Sequence, residues 1–476
     1  MTIQRLGLLR LLALLLSFVL LAAACGDDTS SSETDADVDA DADTDADADA
    51  DTDADPDTDA DADTDADTDA DVPLTASSKG VTEDTISVGV SLLDFQALID
   101  LGLSPAGWGD QVAFWDIMID HVNDNGGVLG RSIEPVYELY SAIDPEDADR
   151  VCTALTQDND VFAVLGGFVG PLAGTVDPCI TGLNETILVG GDQTDDELAQ
   201  SVAPWFMPGQ AANASTTILL NLLEENGDLE GAKVFVMAGL ADEPSHDSTI
   251  QEIEDRGVEV VGEGIVIAPD GDTAAQDDEL ALMTEVIKES GATAVFIHGN
   301  PSSSIRGLAD AGLNTTLDIW TNNPSGLGNL GDTITDKSVA DGVVTATGPS
   351  DTLIWEDAAY QSECSEVVAA AQPDLDIRPP LDYAEDEENI FNGIRYGCRL
   401  IYLFKIIAEA AGPELTPESF RAGGESLTDF TFPGSPNASF SADKLYADDL
   451  FSLAIYDSTA GDGQAVPVGE PVDIFP

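Results

Sequence analysis

Carboxylates are the commonest reactive groups in this 476-residue chain, and one stretch spaces them with complete regularity. From Asp35 to Asp71 each odd position is an aspartate, nineteen in all, with Ala, Thr, Val or Pro between them. D-x-D-x-D spacing is how a calcium loop begins. An EF-hand loop also needs a turn glycine and a closing glutamate, and neither residue occurs from 35 to 71. The stretch can attract divalent cations loosely, and no specific metal site is expected. A period-two strand is disfavoured by the same residues: like charges repel, and no large apolar side chain is there to bury. What remains is a self-repelling disordered spacer. Its random-coil span is on the order of 40 Å for about 50 residues, and charge extends it further.

Groups for nucleophilic or acid–base chemistry are sparse. The three histidines are scattered: His121 in a helical pattern, His246 in a loop, His298 at the end of an apolar strand. There is no GxSxG, no HExxH, no phosphate-cradling Walker loop and no GxGxxG after a strand. Acid pairs are so frequent that their adjacency carries no information. A protein that is not an enzyme and carries no cofactor is expected. Beyond Cys25, four cysteines remain: Cys152, Cys179, Cys364 and Cys398. An even number in an exported chain reads as disulfides. Three pairings are possible, and sequence proximity favours Cys152–Cys179 with Cys364–Cys398.

Export itself is read from the first 24 residues. Arg5 and Arg10 precede the apolar run "LLALLLSFVLLAAAC", which ends in small residues. From Leu11 to Ala24 that run is too short to span a bilayer comfortably. "LAAAC" resembles a bacterial lipobox, with Cys25 lipidated as the new N-terminus. Residues 1–24 are then a signal peptide and 25–79 a lipidated tether. The formal net charge is −76. From Val72 onward, 70 acids face 14 bases, so the folded part is strongly acidic too. Such a surface repels nucleic acid and anionic lipid.

The rest of the chain alternates. "TISVGVSLL", "IEPVYEL", "VFAVLGG" and "TILVGG" are apolar strands, each followed by a helical pattern. A second series starts at "AKVFVMAG" and runs through "VEVVGEGIVI", "ATAVFIHG", "LDIWTN" and "DGVVTATG". Strand–helix alternation implies parallel sheets covered on both faces. Two series imply an α/β chain of two doubly wound, Rossmann-like lobes joined by hinge crossovers. Lobe 1 is expected over 80–208 and 350–430, lobe 2 over 209–349 and 431–476. Helices at 354–372 and 388–412 would return to complete the first lobe. Ligands of open α/β sheets bind beyond the carboxyl ends of the strands, here in the cleft between lobes.

Specific residues sharpen this. "GWGDQVAFWDIMIDHVNDNGGVLGRSIEPV" (107–136) resembles the first helix and NxxGGxxGR turn of the Leu/Ile/Val-binding proteins. These are type I periplasmic solute-binding proteins of ABC transporters. The resemblance continues through "VFAVLGGFVGPLAG", "ILVGGDQTDDEL", "GATAVFIHGNPSSSIRGLADAGL" and "ENIFNGIRYGCRLIYLFKIIAEAAG", roughly residues 84–457. It implies the two-lobed fold and a Cys152–Cys179 pairing. It also implies an extracytoplasmic monomer, held to the membrane by lipid on Cys25. Such a protein captures a small polar or amphipathic solute (an amino acid, amide or related compound) by hinge closure and delivers it to an ABC permease. The alternative is a sensing receptor working with a separate signalling partner.

Positions matching the family suggest the pocket. Trp108 falls where members place an aromatic wall, or it packs the lobe. Phe168 and Gly170 lie in the loop where members hold a ligand carboxylate with backbone amides and a hydroxyl. Here no Ser or Thr stands between Gly166 and Gly174, a departure from the pattern. Thr194, after Gln193, matches a ligand-contacting threonine. Ser302, in "HGNPSSS" with His298 and Asn300, stands where amino-acid binders place an acid. Asp192 could supply that charge from the other lobe, or cap a helix.

Overall fold

The computed structural model describes residues 74–475, apart from 169–176, 192, 212, 240–242, 269–271, 329, 331–333, 385, 461 and 462. The targeting run, Cys25 and the aspartate string lie outside the described residues, as do Gly170 and Asp192.

The first sheet has five parallel strands: β1 (Thr85–Leu93), β2 (Ser132–Tyr140), β3 (Ala163–Gly166), β4 (Ile187–Gly190) and β5 (Trp205–Phe206), in the order β2-β1-β3-β4-β5. All residues of β3 and β4 are buried, as strands covered on both faces must be. Helices α1 (Phe95–Leu101) and α2 (Gln111–Asp124) follow β1, α3 (Pro145–Thr153) follows β2 and α4 (Asp195–Gln200) follows β4. Asp144 caps α3 by accepting from the Glu146 N–H, and Pro145 sits where its missing donor costs nothing.

Local chemistry also explains the NxxGGxxGR turn after α2. Gly127 has φ +60°, and a Cβ there would strike the Arg131 carbonyl oxygen. The tight turn drives Arg131 inward. Its guanidinium, fully buried, donates to the carbonyls of Thr75 at 3.0 Å, Thr82 at 2.8 Å and Pro413 at 2.9 Å. The segment just before β1 is thereby pinned to the first lobe.

The second sheet has seven strands. β6 (Lys233–Gly239), β7 (Glu259–Val266), β8 (Ala294–His298), β9 (Asp318–Thr321) and β10 (Val344–Thr347) are parallel. After a two-stranded ribbon, β11 (Phe430–Phe432) and β12 (Ser435–Ala438), the antiparallel pair β13 (Leu450–Asp457) and β14 (Gln464–Asp473) completes the order β14-β13-β10-β9-β8-β6-β7. Neither β13 nor β14 was among the strands expected from sequence. β14 carries Pro467, Pro471 and Gly469, which a strand tolerates only at an edge, its position here. Helices α5 (Ser215–Asn226), α6 (Glu243–Asp255), α7 (Thr273–Ser290) and α8 (Ser302–Asp310) alternate with these strands.

The chain then returns to the first lobe. α9 (Asp351–Glu356), α10 (Glu366–Ala371) and α11 (Ile390–Ala411) follow β10, and α11 packs on α2 and the first sheet. Gly397 permits that approach: a Cβ there would meet Trp115 and Met118 within 3 Å. Disulfides join Cys152 to Cys179 and Cys364 to Cys398. The lobes are linked by three short crossovers, near 207–214, 348–350 and 448–449. Bases on α11 reach the first and third, and the start of α9 just after the second. Arg399 donates to Pro208 O at 2.8 Å and pairs with Asp448 at 2.6 Å. Arg395 pairs with Asp351 at 2.9 Å. Lys444 adds a buried pair with Asp449 at 2.8 Å.

Candidate functional site

At the carboxyl edge of the first sheet, two glycine pairs turn sharply. Gly166 and Gly167 have φ +113° and +74°, and Gly190 and Gly191 have +126° and +80°. A Cβ on Gly167 would lie 2.7 Å from the Gly191 Cα, so the two loops touch backbone to backbone and only glycine fits. Their carbonyls are engaged from three sides. Tyr396 Oη donates to Gly166 O at 3.0 Å, Ser91 Oγ to Gly167 O at 2.7 Å and Trp205 Nε1 to Gly190 O at 2.8 Å. Asp177 is buried and accepts from the Phe168 N–H at 3.0 Å.

Trp108 is half-buried beside this corner. Its ring centroid lies 5.8 Å from that of Tyr396 and 4.7 Å from that of Phe95. Phe95 and Trp108, with the 104–107 loop, Tyr383, Glu387 and Asn389, line a pocket of about 230 Å³. Phe95 and Tyr396 were not among the residues picked from sequence. Phe95 opens a helix directly after β1, and Tyr396 reaches the corner only because α11 returns from far along the chain.

The other expected residues divide. Phe168 is fully buried, its ring 4.6 Å from that of Tyr140. Gln193 follows β4, is 5% exposed, and its Nε2 has no acceptor within hydrogen-bond distance among the described residues. Thr194 caps α4. Its hydroxyl accepts from Glu197 N, and the Glu197 carboxylate takes the Thr194 N–H, a reciprocal capping box.

In the second lobe, His298 ends β8 and is buried. Asn322 Oδ1 accepts from Gly299 N, which turns its Nδ2 toward His298 Nδ1 at 2.8 Å and Thr216 Oγ1 at 2.8 Å. His298 Nδ1 is therefore an acceptor, and Nε2 carries the proton toward Ser245 Oγ at 2.7 Å. Burial, helped by neighbouring His246, pushes the His298 pKa down to about 4. This is a neutral imidazole that fixes the β8–α8 loop to α6. Asn300 is exposed and accepts from Ser302 N at 3.1 Å, while Ser302 is buried at the start of α8. Among the described residues, no three His, Cys, Asp or Glu side chains gather to hold a metal ion, and no helix is long and apolar enough to cross a membrane.

Residues 106–455 match the family model described as periplasmic binding protein. No functionally curated protein matches the chain. Among solved structures, it is similar to an ABC transporter substrate-binding protein from Desulfitobacterium hafniense in complex with Leu, with 14% identity, a TM-score of 0.51, and coverage of 80% of this chain and 100% of that one. It is also similar to a periplasmic binding protein type 1 from Bordetella pertussis Tohama I, with 14% identity, a TM-score of 0.50, and coverage of 81% and 100%. An ABC-transporter solute-binding protein from R. palustris in complex with 4-hydroxybenzoate follows at 17% identity, a TM-score of 0.49, and coverage of 83% and 98%. At these identities the first two structures attest the fold alone, and the family match spans well over half the chain. Two doubly wound lobes, three crossovers and that match agree: the chain belongs to the type I periplasmic binding proteins, solute binders of ABC transporters and not enzymes.

Proposed function

We propose that this chain captures a small polar or amphipathic solute, such as an amino acid, an amide or a related compound, and passes it to a permease. Closure about the three crossovers brings the strand-end loops of the lobes together on the solute. The observation that carries this reading is the pocket beside the glycine corner, walled by Phe95 and Trp108. It offers an aromatic surface next to strand ends where open α/β sheets bind ligands. Trp108, Gln193, Asn300 and Ser302 supply contacts, with Gly170 and Asp192 in the same loops. Phe168, Thr194 and His298 hold those loops in place. Lipid on Cys25 anchors the chain outside the cell membrane, the aspartate string gives it reach, and it works as a monomer.

Thermal unfolding of the purified chain against amino acids, amides, polyamines and organic acids tests the proposal. A solute at one hundred times its dissociation constant adds about 2.7 kcal/mol and raises Tm visibly. The rise should belong to one chemical class and should largely vanish in Trp108→Ala. A flat response across all classes would remove the solute-binding reading for this panel.

A further inference from the structure

The distribution of positive charge in the folded part is unusually complete. All 14 Lys and Arg residues after residue 72 are among the described residues. Arg131, Arg395, Arg399 and Lys444 are the internal ties described above. Nine others stand in ion pairs with acids. The last, Lys337, lies just before β10, at the edge of the second sheet opposite the strand ends that face the cleft. No Lys or Arg occurs in 80–130, 151–232, 234–255, 289–305 or 307–336. Those ranges contain each loop that leaves the carboxyl ends of β1, β3, β4, β6, β8 and β9. The histidine at the cleft edge, His298, has both ring nitrogens engaged. The cations that do stand near these edges are already paired: Arg150 at the end of β2 with Glu138 and Asp147, Arg395 after β10 with Asp351, and Arg378, over the ring of the pocket residue Tyr383, with Asp376 and Glu387. An anion entering here meets cationic side chains only as ion pairs, inside a chain whose 70 acids after residue 71 already repel it.

One polar group at the same edge asks for a partner. Gln193 is buried, and its Nε2 lacks an acceptor among the described residues. A buried donor left unpaired costs free energy that a ligand carbonyl can return. Resting on the solute-binding reading, we infer that the solute carries no net negative charge and presents an amide-type or other neutral carbonyl oxygen to Gln193, with its apolar part against Trp108. Simple organic acids are disfavoured at this site by charge. Neutral amides and zwitterions are admitted.

Matched compounds test this: benzamide against benzoate, and leucinamide and leucine against 4-methylpentanoate. Binding of each to the full chain, extracted from membranes in mild detergent, is measured by calorimetry and by Tm at pH 7, in 0.1 and 0.5 M salt. The expected result is a neutral, zwitterionic or cationic member binding at least about tenfold tighter than its carboxylate partner, with the gap narrowing at high salt as repulsion is screened. A carboxylate that binds as well as its amide, or better, overturns the inference while leaving the solute-binding reading standing. Binding by no member takes down both for these compounds. Gln193→Leu separates a contact from a merely structural amide. It should weaken the best neutral member severalfold while the unliganded Tm holds or rises. Unchanged affinity overturns the role of Gln193.

Discussion

Single residues differ here in what they are free to do. Thr194 matches a ligand-contacting position, yet its hydroxyl and N–H are both taken by Glu197. Phe168 is spent on the core. Trp108 and Gln193 keep surface or donors uncommitted, and the difference could not be read from residue type, because burial and partners come from distant segments. His298 was legible as a strand-end residue, but its partners on α6 and the 322 turn were not. It yields a prediction with a definite sign. In the unfolded chain His298 titrates near 6.5. In the fold it is held near 4. The folded state therefore binds fewer protons between those values, so its stabilising contribution is complete above about pH 6.5 and is lost as pH falls toward 4. Urea unfolding of wild type and His298→Gln at pH 7 and pH 5 should show the stability gap shrinking by on the order of 1–2 kcal/mol at the lower pH. A gap that widens on acidification would show that His298 is charged in the fold.

At the scale of elements, the alternating series of the sequence is the architecture observed, because parallel strands buried on both faces leave long apolar runs that periodicity detects. The elements it missed are those that break this rule. β14 is a proline-bearing edge, and β5 has two residues. The role of α11 was half legible: its apolar face predicts packing on the first lobe, but not that its bases tie down the crossovers. Arg399 reaches two of them, through Pro208 O and Asp448. Asp448 is buried and also accepts from Ser435. Arg399→Met leaves that carboxylate without its counter-charge and should cost roughly 3–5 kcal/mol. Arg399→Met with Asp448→Leu should recover much of the loss, since removing both charges is far cheaper than stranding one. Equilibrium unfolding in denaturant measures both. A single variant as stable as wild type would show that the pair does not hold the third crossover.

For the whole molecule, the sequence divides into a carboxylate string, expected to be a spacer, and an alternating region that is the described fold. Arg131 ties the start of the folded region to the first lobe through Thr75 and Pro413. The described chain therefore begins tied to one lobe. Deleting residues 35–71 should leave solute affinity within about twofold, since a spacer adds reach and no contact; calorimetry on both chains decides it. The central claim is closure of the two lobes on a solute. The most direct measurement is a distance between spin labels at Gln96→Cys on α1 and Asp247→Cys on α6, both exposed positions on opposite lobes. With the solute that raises Tm added to saturation, the account predicts a shorter, narrower distance distribution. A solute that stabilises the chain while leaving that distribution unmoved would contradict it.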